Sequence, residues 1–229
     1  MQTAFQKICF GFLAALLVSC VSMSNQSEDY SDYNDEWWKP VPASELPAWE
    51  TPPQAADRTK NEVVLSKRTE LGVFSNLALS PFDMDGIKYQ SIEGLWQGMK
   101  FPDNENDERF IDSTTGARVA WPFTREQVYA MSDFESKKAG DQANEIMKKL
   151  GIKWVTYFGQ KIEYKGKDQA AHYAIIYDAS VAKIEQNPLI KQLLLKTKGL
   201  SFILDHKQDS NSPAAYRTDL IYMKIRDSL

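Results

Sequence analysis

Short apolar and β-branched runs predict strands near Val63 to Ser66, Ile87 to Tyr89 and Leu200 to Leu204. Apolar residues at helical spacing predict helices over Ile92 to Lys100, Arg125 to Met131, Ser136 to Leu150, Tyr173 to Gln186, Leu189 to Lys196 and Thr218 to Ser228. Pro102, Gly116, Pro122, Gly151, Gly166, Pro188 and Gly199 supply the breaks. The fold class expected is α+β, mostly helical, with a small β-sheet. The aromatic-rich run Trp154 to Tyr164 fits strand or helix equally and stays open. No internal repeat is present.

The densest local signal lies between Phe74 and Phe101. Asp85-Gly86 predicts a hairpin turn between the β-type runs around Pro81 to Met84 and Ile87 to Tyr89, because Gly tolerates positive φ. Ser91 stands where a helix N-cap belongs. From there Ile92, Leu95, Trp96 and Met99 form an apolar stripe, while Glu93, Gln97 and Lys100 fall at i, i+4 and i+7. One helix thus carries a carboxylate, an amide and an ammonium in a row. Spacing alone is equally met by a solvated helix face.

The first residues read as an export signal. Lys7, the apolar run Ile8 to Val18 and a small residue before Cys20 match a charged start, a short hydrophobic stretch and a cleavage site. Leu17-Val18-Ser19-Cys20 also resembles a bacterial lipobox, which implies that Cys20 becomes the first mature residue, carries acyl chains and holds the protein at a membrane. The alternatives are a cleaved signal with an incidental Cys, or an uncleaved helical anchor. Val21 after Cys20 resembles an outer-membrane sorting context, which places the protein at the cell envelope. Cys9, the other cysteine, lies within the signal, so a chain cut there has no intramolecular disulfide. Residues 20–59 read as a polar, largely irregular tether, with Trp37, Trp38 and Trp49 expected to dock on the domain surface because exposed indoles are costly in water.

Residues 60–229, roughly 170 in number, suit one domain with its own core. A net charge of -4 and a pI near 5.3 argue against a broad basic surface for nucleic acid. His172 and His206 have no second His or Cys in their neighbourhoods, which argues against a transition-metal site. There is no Gly-rich phosphate loop and no Ser-centred nucleophile elbow, so hydride transfer, ATP hydrolysis and ester hydrolysis lack support. No cofactor is expected.

The stretch Phe74-Ser75-Asn76-Leu77, the Gly86 turn and the helix Ser91-Ile92-Glu93-Gly94-Leu95-Trp96-Gln97-Gly98-Met99-Lys100-Phe101 together resemble the NADAR (YbiA-like) domain family. A weaker likeness covers Lys183 to Pro188, Leu193-Leu194, Thr197 and Gly199, and Ile225-Arg226 resembles the family's closing helix. The segment between Pro102 and Tyr173 matches poorly. Gly94 stands where the family has His. The Asp-x-x-Trp-Gly stretch expected after Leu200 to Leu204 lacks its Trp and Gly, leaving Asp205 and Asp209 as the acidic equivalents. Tyr216-Arg217-Thr218-Asp219 replaces a common Asn-x-Leu-Gly.

The resemblance implies a hydrolase that cleaves an N-glycosidic bond to an ADP-ribosyl or ribosyl-phosphate group. It assigns Glu93 and Lys100 as the catalytic pair, Gln97 as a group that orients ribose or phosphate oxygens, and Ser75, Asn76, Trp96, Asp205 and Asp209 as substrate contacts. Each has a plainer alternative. Ser75-Asn76 fits a turn stabilised by the Asn76 side chain bonding its own backbone, Trp96 fits the core, and Asp205 and Asp209 fit a solvated loop. Two rivals use the same residues differently: a noncatalytic ligand-binding lipoprotein, and an envelope interaction protein that works through its Trp-bearing tether.

Overall fold

The computed structural model describes residues 33–39, 41–46, 48, 50–209 and 211–229. Cys20 and Trp49 lie outside them.

A single helix organises the fold. α1 (Ile92–Gly98) begins at Ser91, whose Oγ accepts the Gly94 amide at 2.8 Å and donates to the Met131 carbonyl at 3.0 Å. It packs against α2 (Arg125–Tyr129), α3 (Asp133–Lys149) and α4 (Gln169–Gln186). Two glycines permit that crowding. A Cβ at Gly94 would lie 2.6 Å from the Met131 carbonyl oxygen, and one at Gly98 would lie 2.4 Å from the Tyr129 ring. Beyond the helix, Phe101, Val128, Met131, Ala139 and Ala143 fill a core shared by α1, α2 and α3.

The C-terminal end of α1 leaves carbonyls that its own helix cannot satisfy. The amides of Met99, Lys100 and Phe101 take the Leu95, Gln97 and Gly98 carbonyls, and two buried guanidinium groups take the carbonyls of the segment just after the helix. Arg109 donates to the Met99 and Lys100 carbonyls at 3.1 and 2.9 Å and is paired with Asp107 at 2.7 Å. Arg125 bonds the Phe101 carbonyl and is paired with Asp103 at 2.9 Å. The positive charges also suit the negative end of the helix dipole.

Among the described residues, three two-stranded sheets surround this centre. β1 (Glu62–Leu65) pairs in parallel with β6 (Ser201–Leu204), Val63 opposite Phe202. A parallel pair needs a crossover, and here the crossover is everything from residue 66 to residue 200. β2 (Phe82–Met84) and β3 (Ile87–Tyr89) form the expected hairpin, with Asp85 and Gly86 both at positive φ. The run left open from Trp154 to Tyr164 is a second hairpin, β4 (Val155–Tyr157) and β5 (Gln160–Ile162), turning at Phe158 and Gly159 with positive φ. α5 (Pro188–Lys196) and α6 (Thr218–Asp227) complete the order. α3 and α4 begin three and four residues earlier than the spacing predicts. The α+β, mostly helical class is the one expected.

Tyr33–Leu229 form one compact unit. Within its first segment, short 3-10 turns at Asp35–Trp38, Ala43–Glu45 and Arg58–Lys60 interrupt the irregular chain. Trp37 is 3% exposed and donates to Glu70 at 3.0 Å, while Trp38 donates to the Glu62 carbonyl on β1 at 2.8 Å. The pair therefore docks on the domain, as its apolar area predicts. No helix among the described residues is long and apolar enough to cross a membrane.

Candidate functional site

The polar column of α1 faces inward. Gln97 is 6% exposed and Lys100 is 4% exposed. Glu93 forms part of the wall of a partly open hollow of about 230 Å³, together with Asn76, Trp96, His172, Ile176 and Tyr216. Gln97 Nε2 donates to Glu93 Oε1 at 2.6 Å, as residues one helical turn apart can. The amide sits directly over Gly140 of α3, where a Cβ would come within 1.6 Å of Gln97 Oε1. Glycine at that position makes room for the Gln97–Glu93 contact.

Burial sets the electrostatics. It raises the Glu93 carboxyl pKa, an effect partly offset by the Gln97 hydrogen bond and the Lys100 charge. Burial lowers the Lys100 ammonium to about 8, against the pull of the Glu93 carboxylate. Lys100 Nζ lies 5.4 Å from the Trp96 ring centroid, and neither Lys100 nor Gln97 forms the wall of the hollow. Lys100 therefore acts on Glu93 through its charge, and Gln97 engages the carboxylate instead of pointing into the hollow.

Asn76 is delivered by the loop after a 3-10 turn at Glu70–Phe74. Its carbonyl accepts the Glu93 amide at 2.8 Å, which ties the loop to the start of α1. Its side-chain oxygen is buried without a hydrogen-bond partner, so the turn-stabilising alternative does not describe it. The local bond is made by Ser75 instead, whose Oγ accepts the Leu77 amide at 3.2 Å. Lys183 of α4, fully buried, holds the same loop by donating to the Ser75 carbonyl at 3.0 Å, and burial lowers its pKa to about 7.

Trp96 meets protein on several sides. His172 stacks on it at 4.2 Å and Tyr164 meets it edge-on at 4.9 Å. The indole builds the wall of the hollow and is also core, which joins both alternatives. The sequence does not assign His172 and Tyr216 to this site. They lie 79 and 123 positions after Glu93 and share no local motif with it, so only packing of α4 and of the 3-10 turn Ala214–Tyr216 brings them in. Burial lowers the His172 pKa to about 4, assisted by the Lys100 charge, and pushes the Tyr216 phenol up to about 12.

Asn76 and Tyr216 also border a second, open groove of about 880 Å³. Ser75 and Asp205 line it with Glu50, Lys67 and His206. Asp205 is therefore set apart from Glu93, in the neighbouring depression. Asp209 is exposed and lines neither depression; its carboxylate accepts the Asn211 amide at 2.9 Å in a surface turn, as the solvated-loop alternative has it. Glu50, Asp205 and His206 lie close enough together to share a metal ion. Lys67 and Arg68 already pair with Glu50 at 2.8 and 2.7 Å and hold its carboxyl at about 2, and Arg68 also approaches Asp205 at 3.6 Å. Two fixed cations beside two carboxylates leave little negative charge to hold a divalent ion.

No family model and no curated protein matches the chain. Among solved structures it is similar to the NMR structure of the E. coli protein YbiA, with 18% sequence identity and a TM-score of 0.44 over 74% of this chain and 84% of that one.

Proposed function

We propose that this chain is a NADAR-like hydrolase of an N-glycosidic bond, with a substrate bearing an ADP-ribosyl or ribosyl-phosphate group, held at the cell envelope through lipidated Cys20. The observation that carries the proposal is the half-buried Glu93–Gln97 pair, at the wall of a polar hollow with an ammonium nearby. Breaking a bond between a sugar and a base builds positive charge at C1, which a carboxylate at the wall stabilises. A carboxyl with a raised pKa exchanges protons closer to neutral pH, where a general base works best.

In the reaction, a water oxygen bonds to C1 while the C1–N bond breaks. Glu93 takes the proton from that water, and the leaving nitrogen keeps the bonding electron pair and gains a proton from solvent. Gln97 fixes one carboxylate oxygen and leaves the other for water. Lys100 favours the ionised form of Glu93. An imine at Lys100 would require its Nζ to enter the hollow, so the direct attack of water fits the arrangement better.

A noncatalytic binder is the second reading, favoured by Gly94, where the Met131 carbonyl leaves no space for the imidazole that the resemblance expects. The full chain incubated with ADP-ribose, NAD and ADP-ribosylated guanosine, followed by mass spectrometry, separates the two. A hydrolase releases free base, and Glu93→Gln loses turnover while retaining ligand. Binding without release by the parent protein supports the binder, and neither binding nor release overturns both.

A further inference from the structure

The loop that carries Asn76 is tied down at three successive carbonyls, each by a different helix. The Ser75 carbonyl accepts Lys183 Nζ of α4 at 3.0 Å, the Asn76 carbonyl accepts the Glu93 amide of α1 at 2.8 Å, and the Leu77 carbonyl accepts the Asp133 amide of α3 at 2.7 Å. Glu93 and Asp133 stand in the first turns of their helices, where an amide has no acceptor within its own helix. Loop and helix ends therefore satisfy one another. Two of the three ties are backbone amides, which do not titrate. The third is a lysine.

Lys183 is 0% exposed, and the bond to Ser75 is the one hydrogen bond that its Nζ makes among the described residues. An ammonium has three N–H donors, so two of them would lack an acceptor, and lysines are almost never fully buried unless paired. The Tyr222 ring of α6 lies 5.8 Å from Nζ, and its phenol, whose pKa burial raises, is neutral alongside it. Burial alone lowers Lys183 to about 7, with no neighbouring charge contributing. If the loop lifts, Nζ meets water and regains its ordinary value near 10.5. The open arrangement binds the proton more tightly, so acid favours it. Between those two values, lowering the pH from 8 to 6 moves the balance toward the open loop by about tenfold.

Resting on the function proposed above, we propose that Lys183 is a positioning residue through which pH regulates the site: its neutral amine holds the Ser75–Leu77 loop on the starts of α1 and α3, and a proton taken from solvent releases it. Asn76 forms part of the wall of the hollow, and its carbonyl holds the first turn of the helix that carries Glu93. Release therefore withdraws one wall and loosens the turn that aims the carboxylate. A ligand that needs the closed loop binds less tightly in acid, in proportion to the closed fraction.

The test is amide hydrogen exchange of the full chain by NMR between pH 6 and pH 8, expressed as protection relative to an unfolded chain at the same pH. The Glu93 and Asp133 amides should be about tenfold less protected at pH 6 than at pH 8. They should also be about tenfold or more less protected than the amide of Ala143, buried within α3, because the loop opens without unfolding the domain. Protection that does not change with pH, or that equals the protection of Ala143, overturns the proposal on the parent protein alone. Lys183→Met keeps an apolar stem and leaves the Ser75 carbonyl its bond from the Ala78 amide at 3.2 Å, so it should fold, and in it both amides should lose their pH dependence. Glu93 and both histidines remain in that variant, so a dependence that survives belongs to another group and also overturns the proposal. ADP-ribose, whose phosphates keep their charge over this range, should bind the parent up to about tenfold more weakly at pH 6 than at pH 8, and Lys183→Met equally at both. Equal binding by the parent at both pH values overturns the regulation and leaves the hydrolase proposal standing. Binding at neither pH, with exchange as expected, sustains the hold of Lys183 on the loop and removes the ADP-ribosyl ligand.

Discussion

Gly140→Ala is the sharpest test of how the candidate carboxylate is held. The new methyl would sit 1.6 Å from Gln97 Oε1 and 2.1 Å from Gln97 Cδ, distances that no relaxation of the methyl itself resolves. Gln97 must swing away and give up its 2.6 Å hydrogen bond to Glu93. That loss costs about 1.5–3 kcal/mol, as for hydrogen bonds to charged groups. Replacing a helical glycine by alanine returns about 0.5–1 kcal/mol. The net expectation is a destabilisation of about 0.5–2.5 kcal/mol, or a Tm lower by about 1–10 °C for a domain of this size. In a Gln97→Ala background the obstacle is gone, and the same Gly140→Ala change should instead raise the Tm by about 1–4 °C. Thermal melts of the four proteins complete the cycle. If Gly140→Ala raises the Tm equally in both backgrounds, Gln97 does not sit over Gly140 and the account of Glu93 fails. Should turnover be measurable, Gly140→Ala should also shift the acidic limb of the pH profile upward, because Glu93 loses a donor that favours its ionised form.

Two further outcomes follow from the same interior. Gly94→Ala should destabilise by about 1–3 kcal/mol in urea titration despite its gain in helix propensity, because the obstacles are the backbone oxygens of Met131 and Val128 at 2.6 and 3.0 Å. A neutral or stabilising result would mean that α1 and the end of α2 are not in close contact. Lys183 has a pKa lowered to about 7 by burial, below the ordinary lysine value that it regains on unfolding. Its contribution to stability is fully present above the unfolded value and is lost as pH falls toward the folded one. Stability should therefore rise between pH 7 and about pH 9.5 by on the order of 3 kcal/mol through this group, a rise that Lys183→Met removes. Denaturation curves of parent and variant with the same pH dependence would refute it.

The hairpin at Asp85-Gly86, the Ser91 cap and the stripe Ile92, Leu95, Trp96, Met99 were all legible, because each rests on contacts within a few residues. Glu93, Gln97 and Lys100 were legible as a row for the same reason. Whether that row faced water or protein was not. Nothing in Gly140, 43 positions after Gln97, marks it as the floor under that amide. Nothing local marks Arg109 and Arg125 for burial, yet they are buried against the carbonyls just past α1, because a chain leaving a helix inside the domain needs donors there.

By its own local chemistry, this sequence determined the predominance of helix over strand, the hairpin at Asp85-Gly86 and the identity of the polar groups on α1. Tertiary structure alone decided the parallel pairing of β1 with β6, the turning inward of Glu93, Gln97 and Lys100, and the arrival of His172 and Tyr216 beside them. It also decided that Asp205 borders a separate groove and that Asp209 lies on the surface. The division has one physical cause. Propensity, capping and turn chemistry act over a few residues, whereas a site assembled from residues 76, 93, 172 and 216 exists only once burial has brought distant segments of the chain together.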